Sequence, residues 1–148
     1  MRVVLQRVKA ASVSVDGKEI SGIGKGLAIL IGVGKGDSIA EAKTLAEKTA
    51  YLRIFEDDQG KMNLSVLDIG GEALVVSQFT LYADCRRGRR PGFDPAAPPD
   101  EANNLYEKFV ECLTTLGVHT KTGQFQAHML YKIENDGPVT ILLDSNEL

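Results

Sequence analysis

The chain has 148 residues, of which 43% are hydrophobic and 25% are charged, and its formal net charge at pH 7 is −3. This balance predicts one globular domain, residues 1–148, and excludes a disordered or fibrous chain. No apolar run is long enough to cross a bilayer, and the N-terminus lacks the apolar stretch of a signal peptide. We therefore expect a cytoplasmic protein with no membrane association.

The first part of the chain has the pattern of strands followed by a helix. β-Branched residues in 3–15 predict one long strand, or two with a bend, and Asp16-Gly17 predicts a hairpin turn into a returning strand at 18–23. The apolar run 27–33 predicts a strand buried on both faces. Ser38-Ile39-Ala40-Glu41 is a capping box, after which apolar residues at helical spacing predict an amphipathic helix of about four turns.

The second part predicts more strands, one further helix and a long loop. Residues 53–56 and 73–76 predict strands, 62–69 an irregular segment and 84–99 a loop with four prolines. A second helix is predicted from Pro98-Pro99 to Gly117. Strands are predicted at 118–124, 129–133 and 139–143, with a turn at 135–138 before the last. This order predicts an α+β fold of mainly antiparallel strands with two outer helices.

Polar side chains follow the buried strand 73–76 directly. Ser77, Gln78 and Thr80 must find hydrogen-bond partners if they are buried, either in neighbouring loops or in a ligand. The first case is a strand end without function. The second is a polar pocket in which Thr80 is a nucleophile or donor and Gln78 orients the substrate.

Other chemistry-bearing patterns are scarce. The chain has two histidines, no GxSxG motif and no metal-ligand spacing, so we expect neither a metal nor another cofactor. If the protein is an enzyme, catalysis through backbone groups and substrate positioning is favoured. Arg86, Arg87, Arg89 and Arg90 lie in one short loop, which is either a solvated segment or a contact surface for a phosphate backbone. Gly137-Pro138 is either an ordinary turn or a rigid tip that approaches a ligand.

Two separated motifs resemble those of one family. Ser77-Gln78-Phe79-Thr80-Leu81 is similar to the SQFTL motif of D-aminoacyl-tRNA deacylases, and residues 135–140 are similar to the family's NxGPVT motif. The N-terminal residues 1–8 and the segment Gly88-Arg89-Arg90-Pro91 also resemble that family. The resemblance covers essentially the whole chain.

The resemblance implies a compact, barrel-like fold, a homodimer and tRNA as the partner. The expected reaction is hydrolysis of the ester that joins a D-amino acid, or mischarged glycine, to tRNA. Ser77, Gln78, Phe79 and Thr80 would form the catalytic edge, with backbone amides at Phe79 and Thr80 holding the carbonyl oxygen and the terminal ribose 2′-OH assisting the attack. A cis Gly137-Pro138 pair would enter the partner subunit's site and exclude L-amino acids sterically.

Further residues take their expected roles from the same resemblance. Arg7, Ala102 and Phe125 would line or support the pocket. The four arginines of the loop, residues 86–90, are the candidates for tRNA backbone contacts. The alternatives are a non-catalytic tRNA-binding module and a small-ester hydrolase that uses Thr80 as its nucleophile.

Overall fold

The structure is a computed structural model that describes all residues, 1–148. Its central element is the long strand β1 (Arg2–Val15). One edge of β1 pairs with β2 (Lys18–Ile23) and β3 (Gly26–Gly32), and the other pairs with β8 (Met129–Asp144), all antiparallel. The predicted hairpin between β1 and β2 is confirmed, since Asp16 and Gly17 both have the positive φ angles, 51° and 77°, that such a tight turn requires.

The sheet continues from β3 to β6 (Glu72–Ser77) and from β6 to β7 (His119–Thr122) through two parallel pairings. Parallel neighbours need a crossover connection, and each of these connections contains one α-helix. The helices are α1 (Ile39–Tyr51) and α2 (Pro99–Thr115). The predicted capping box of α1 is present, and α2 begins with proline at its first turn. The prediction of mainly antiparallel strands with two helices is confirmed. The two parallel pairings, β3 with β6 and β6 with β7, are an addition to it.

Two further strands form a separate small sheet. β4 (Phe55–Glu56) pairs with β5 (Met62–Leu64), where the sequence pattern predicted an irregular segment. No helix combines the length and the apolar character needed to cross a membrane.

The sheet is strongly curved, and β1 contributes to a core on each of its faces. Val3 and Leu5 pack in the larger core, between the sheet and the helices, whereas Val8 and Val13 pack in a smaller core on the inner face. Val8 faces away from Leu5 by simple alternation, and a register shift between Val8 and Ala11 then brings Val13 to the same face as Val8.

Tyr131 closes the inner core across the sheet. Its hydroxyl donates to the Leu74 carbonyl on β6 at 2.7 Å and accepts from the Ile29 amide on β3 at 3.2 Å, although β8 pairs only with β1. Burial raises the pKa of this phenol, so it stays protonated and can donate. A contact between strands that are not neighbours shows that the sheet folds round on itself, as the barrel-like prediction required.

The predicted turn at residues 135–138 is wrong. β8 is one continuous strand: residues 129–133 pair with 11–15 of β1, and residues 140–144 pair with 2–6. Between the pairs Val8 with Asn135 and Gln6 with Thr140, β8 uses five residues where β1 uses two, so three extra residues bulge outward. Glycine and proline indicated a change of direction, but the pairing of both flanking segments with β1 keeps the strand direction unchanged.

Candidate active site

The segment after β6 forms a tight turn rather than a simple strand end. The Gln78 amide still donates to Ile31 on β3 at 2.8 Å, and Phe79–Tyr82 then form one turn of 3₁₀-helix. Within it, Leu81 N–H bonds to the Gln78 carbonyl at 3.3 Å. The amides of Phe79 and Thr80 donate to no group of the protein. Two adjacent N–H groups are therefore available to an external acceptor.

A cavity of about 750 Å³ lies beside this turn. It brings together five of the residues that the sequence predicted for the site: Ser77, Gln78, Phe79, Ala102 and Phe125. Most of the remaining lining is apolar, which suits a pocket that keeps water away from a bound ester.

Thr80 does not line this cavity. Its side chain is exposed, and the Gln78 Nε2 group donates to its hydroxyl oxygen. No histidine or carboxylate bonds to the hydroxyl, so no base is in position to take its proton. The side chains of Gln78 and Thr80 thus satisfy each other within the turn, while Ser77 and Gln78 also line the cavity.

Aromatic side chains shape the cavity from two sides. Phe79, which is 53% exposed, packs edge-on against Phe93 with the ring centroids 4.9 Å apart. The ring centroids of Phe125 and Tyr106 are 6.1 Å apart. The Tyr106 hydroxyl donates to the Val75 carbonyl at 3.0 Å. Burial raises the pKa of Tyr106 to about 12, so this phenol remains a neutral donor. Phe93 was missed by the sequence analysis, although an aromatic residue in a loop rich in glycine and proline is a usable signal.

The bulge of β8 presents Gly137 and Pro138 to solvent; we call this pair the Gly-Pro tip. The peptide bond between them is cis. Asn135 and Thr140 brace its base: Asn135 Oδ1 accepts from the Val139 amide at 2.9 Å, and Asn135 Nδ2 donates to Thr140 Oγ1 at 2.9 Å. The Asn135 amide and the Thr140 hydroxyl of the NxGPVT motif therefore both hold the bulge in place.

Arg7 supports the Gly-Pro tip from inside the protein. It is 7% exposed, and it donates from Nε to the Asp136 carbonyl at 2.9 Å and from Nη1 to the Ile54 carbonyl at 2.8 Å. A Cβ atom on Gly137 would lie 3.0 Å from Arg7 Nη2. Arg7 and the Gly-Pro tip are absent from the cavity lining, so the structure does not bring them together with Ser77–Phe79 within this chain.

The four arginines lie on a closed loop, residues 84–92, which we call the arginine loop. Asp84 and Gly92 exchange backbone hydrogen bonds of 2.7 and 2.9 Å at its base. Arg86 donates to the Asp84 carboxylate at 2.8 and 2.7 Å and lowers the pKa of that carboxyl to about 2. Arg87, Arg89 and Arg90 are exposed and form no ion pair. Phe93, the next residue, lines the cavity, so the loop ends at the rim of the pocket.

Comparisons with known proteins show the family to which the chain belongs. The sequence model of the family described as D-Tyr-tRNA(Tyr) deacylase matches residues 4–144. A D-aminoacyl-tRNA deacylase of Fervidobacterium nodosum is 59% identical over 148 residues, covering 100% of this chain and 99% of the relative. A D-aminoacyl-tRNA deacylase of Roseiflexus castenholzii is 65% identical over 145 residues, covering 98% and 92%.

Solved structures give the same result for the fold. The structure titled c-Myc DNA Unwinding Element Binding Protein superposes with a TM-score of 0.93 at 42% identity, covering 97% of this chain and 98% of that one. A probable eukaryotic D-amino acid tRNA deacylase superposes at 0.80 with 16% identity, covering 96% and 97%, and supports the fold alone. The family model and the relatives together cover nearly the whole chain, and this protein belongs to the D-aminoacyl-tRNA deacylase family.

Proposed function

We propose that this protein hydrolyses the ester bond of D-aminoacyl-tRNA and releases free amino acid and tRNA. The observation that carries the proposal is the pair of unbonded amides at Phe79 and Thr80, on a turn whose first residues line a largely apolar cavity. Such donors stabilise a negatively charged oxygen without any catalytic side chain. This accounts for a site that lacks a metal cluster and an activated nucleophile.

The reaction follows from that geometry. The ester carbonyl oxygen lies against the Phe79 and Thr80 amides, a water molecule attacks the carbonyl carbon, and the two N–H groups hold the oxyanion that forms. The bond to the ribose oxygen then breaks, and this oxygen takes up the proton that the attacking water has given up. The 2′-OH of the terminal ribose assists the attack, since no base bonds to the Thr80 hydroxyl and His128, the histidine of the cavity lining, makes no hydrogen bond to the turn. Each donor of this kind contributes about 3 kcal/mol to transition-state stabilisation.

The Gly-Pro tip selects the chirality of the amino acid, and it acts in the site of a second copy of the chain. Its exposure and its absence from its own cavity lining support this assignment. The tip is a wall at one side of the α-carbon, where an L side chain would project, while a D side chain projects away from it. Glycine has no side chain to collide with the wall, so glycyl-tRNA is also a substrate.

A complementation experiment tests the homodimer with a shared site. Gly137→Val adds bulk at the tip that blocks the facing pocket, and Ala102→Phe fills the cavity, so each variant alone is inactive. When the two are unfolded, mixed and refolded together, half of the dimers are mixed, and each mixed dimer has one intact site. Activity should return to roughly a quarter of the wild-type value. Failure of the mixture to recover activity would place the tip in its own subunit's site.

Thr80 itself is not the nucleophile in this mechanism. Thr80→Ala removes a hydroxyl whose partner is the Gln78 amide and leaves the backbone N–H in place. We expect kcat on D-Tyr-tRNA to fall less than about fivefold, because no covalent intermediate depends on this oxygen. A loss of about a thousandfold or more, or trapping of an acyl-Thr80 species, would favour the small-ester hydrolase instead.

The proposed reaction has a direct test. The protein is incubated with D-Tyr-tRNA and L-Tyr-tRNA, and the remaining ester is measured over time. We expect rapid loss of the D ester and no enzyme-dependent loss of the L ester.

The exposed arginines of the arginine loop also suit a second candidate function, a non-catalytic tRNA-binding module. Binding of both tRNAs with equal stability of both esters would decide for that candidate.

A further inference from the structure

We propose that Arg2 is a positioning residue for deacylation, because it orders and polarises the Thr80 amide through the backbone of the 3₁₀ turn. This inference rests on the proposed function, in which that amide holds the carbonyl oxygen. Arg2 lies on β1 and is not one of the residues that line the cavity. It therefore does not touch a substrate bound there. Its influence must therefore pass through the turn.

Three contacts fix the Arg2 guanidinium behind the turn. Nη1 donates to the Leu81 carbonyl at 2.9 Å, Nε donates to the Asp144 carboxylate at 2.9 Å, and the group lies 4.6 Å from the centroid of the Tyr82 ring. The Asp144 carboxylate is 12% exposed and orients the planar guanidinium. The donor to Leu81 is therefore charged, fixed in direction and only partly solvated.

A chain of peptide units connects Arg2 to Thr80. The carbonyl that Arg2 contacts belongs to the same peptide unit as the Tyr82 N–H. In a 3₁₀ turn over Phe79–Tyr82, this N–H bonds to the Phe79 carbonyl, three residues back. The Phe79 carbonyl in turn shares its peptide unit with the Thr80 N–H. A positive charge at the start of such a chain polarises each unit in the same direction, and it makes the last N–H a stronger donor.

The Phe79 amide belongs to a different chain. Its peptide unit includes the Gln78 carbonyl, which accepts from Leu81 N–H, and the Thr80 carbonyl accepts from Ala83 N–H at 3.1 Å. Arg2 does not enter this second series. The structure thus separates the two amides: loss of Arg2 should weaken the Thr80 donor and leave the Phe79 donor nearly unchanged.

The kinetic test compares two Arg2 variants with a control variant at Ser145, where the two ends of the chain also meet. Arg2→Met removes the charge and the bond to Leu81, and we expect kcat on D-Tyr-tRNA to fall about tenfold with KM changed less than about twofold. Arg2→Lys keeps the charge and can make one of the bonds, so it should recover part of kcat. Ser145→Ala removes the acceptor of the Met1 ammonium bond, 2.6 Å long, and does not touch the turn. This control should keep wild-type kcat.

A second readout follows the amides directly. In ¹H–¹⁵N spectra, Arg2→Met should move the Thr80 amide proton upfield, and the Phe79 amide proton should stay near its wild-type position. An unchanged Thr80 shift would refute the relay even in a variant with low activity. A kcat within about twofold of wild type, a loss equal to that of Ser145→Ala, or a loss confined to KM would each refute the positioning role. An inactive wild-type protein would instead refute the proposed function.

Discussion

Gly137 has a backbone conformation that residues with a side chain rarely adopt. Its φ is +133°, and a Cβ atom there would lie 2.9 Å from Val139 Cγ2 and 3.0 Å from Arg7 Nη2. Both neighbours are fixed, Val139 by burial and Arg7 by its two carbonyl partners. Strain at this position therefore cannot relax locally, and it must displace the Gly-Pro tip.

We predict that Gly137→Ala lowers the unfolding free energy by about 1–3 kcal/mol and the D-Tyr-tRNA hydrolysis rate by at least about tenfold. Urea unfolding and single-turnover hydrolysis measure the two effects. Gly60→Ala is the matched control, because Gly60 also has a positive φ, +73°, but its Cβ would meet nothing within 4 Å and it lies in a turn outside the site. The control should lose stability and keep its activity. Equal activity of Gly137→Ala and wild type would contradict the role of the tip.

At the scale of elements, the arginine loop carries its exposed cations up to the rim of the cavity. Its hydrogen-bonded base leads directly to Phe93, which packs on Phe79 at the cavity. A nucleic-acid backbone bound along the exposed guanidinium groups would therefore end near the pocket. Arg86 is engaged with Asp84, which leaves Arg87, Arg89 and Arg90 as the free cations of the loop.

We predict that Arg87→Glu with Arg89→Glu weakens tRNA binding and makes it less dependent on salt. Removing one phosphate-binding cation should reduce the slope of log K against log salt by about 0.7–0.9, so the slope should fall by about 1.5 in total. Filter binding at several salt concentrations gives this slope. Lys43→Glu with Lys48→Glu on α1 changes the net charge equally at exposed positions away from the site. An identical slope in both double variants would contradict the assignment of the loop.

Elements formed by local interactions could be predicted from the sequence, and elements formed by distant pairing could not. The Asp16-Gly17 hairpin and the Ser38 capping box depend on residues a few positions apart, and both appear in the structure. The bulge in β8 depends instead on β1, which lies more than a hundred residues earlier in the chain. The Asn135 to Val139 bond that braces the bulge looks like an ordinary turn signal until this pairing is known.

The candidate site shows the same division. The motif residues Ser77, Gln78 and Phe79 do line one cavity, with Ala102 and Phe125 from distant segments. The sequence could not show that Thr80 turns its hydroxyl to Gln78, since this depends on the 3₁₀ turn that replaces the end of the strand. It also could not show the contact of Arg2 with Leu81, which joins the first strand to that turn.

At the scale of the whole molecule, several carboxylates stabilise the folded state only in their ionised form. Hydrogen bonds from the Ser65 amide and hydroxyl lower the pKa of Asp68, and bonds from Ser38 lower that of Glu41. Burial raises the pKa of Asp144, but bonds from Asn146 and Arg2 outweigh it and give a net decrease. A group with a lowered folded-state pKa contributes stability above its unfolded pKa, and this contribution is lost as the pH falls through the folded value.

We predict that the midpoint temperature of unfolding is nearly constant above about pH 5 and falls steadily as the pH decreases through about 4 to 2. Differential scanning calorimetry at several pH values measures this decrease. Asp68→Asn should be less stable than wild type at pH 7 and should show a shallower fall, since it has lost one of the titrating groups. Asp58→Asn, whose carboxylate makes no hydrogen bond in the structure, should follow the wild-type curve. A wild-type midpoint that does not change with pH would contradict the prediction.

The position of Arg7 has a consequence for the accuracy of the proposed enzyme. Its guanidinium joins the carbonyl of Ile54, which follows α1 in the chain, to the Asp136 carbonyl at the base of the Gly-Pro tip. The amides at Phe79 and Thr80 are held by other contacts. A change that loosens Arg7 therefore weakens the wall without removing the hydrolytic groups. Such a protein would remain active and would destroy L-aminoacyl-tRNA, the substrate of normal protein synthesis. For a cell, this loss of discrimination would be more damaging than loss of the enzyme, so selection should act more strongly on Arg7 than on residues that only increase the rate.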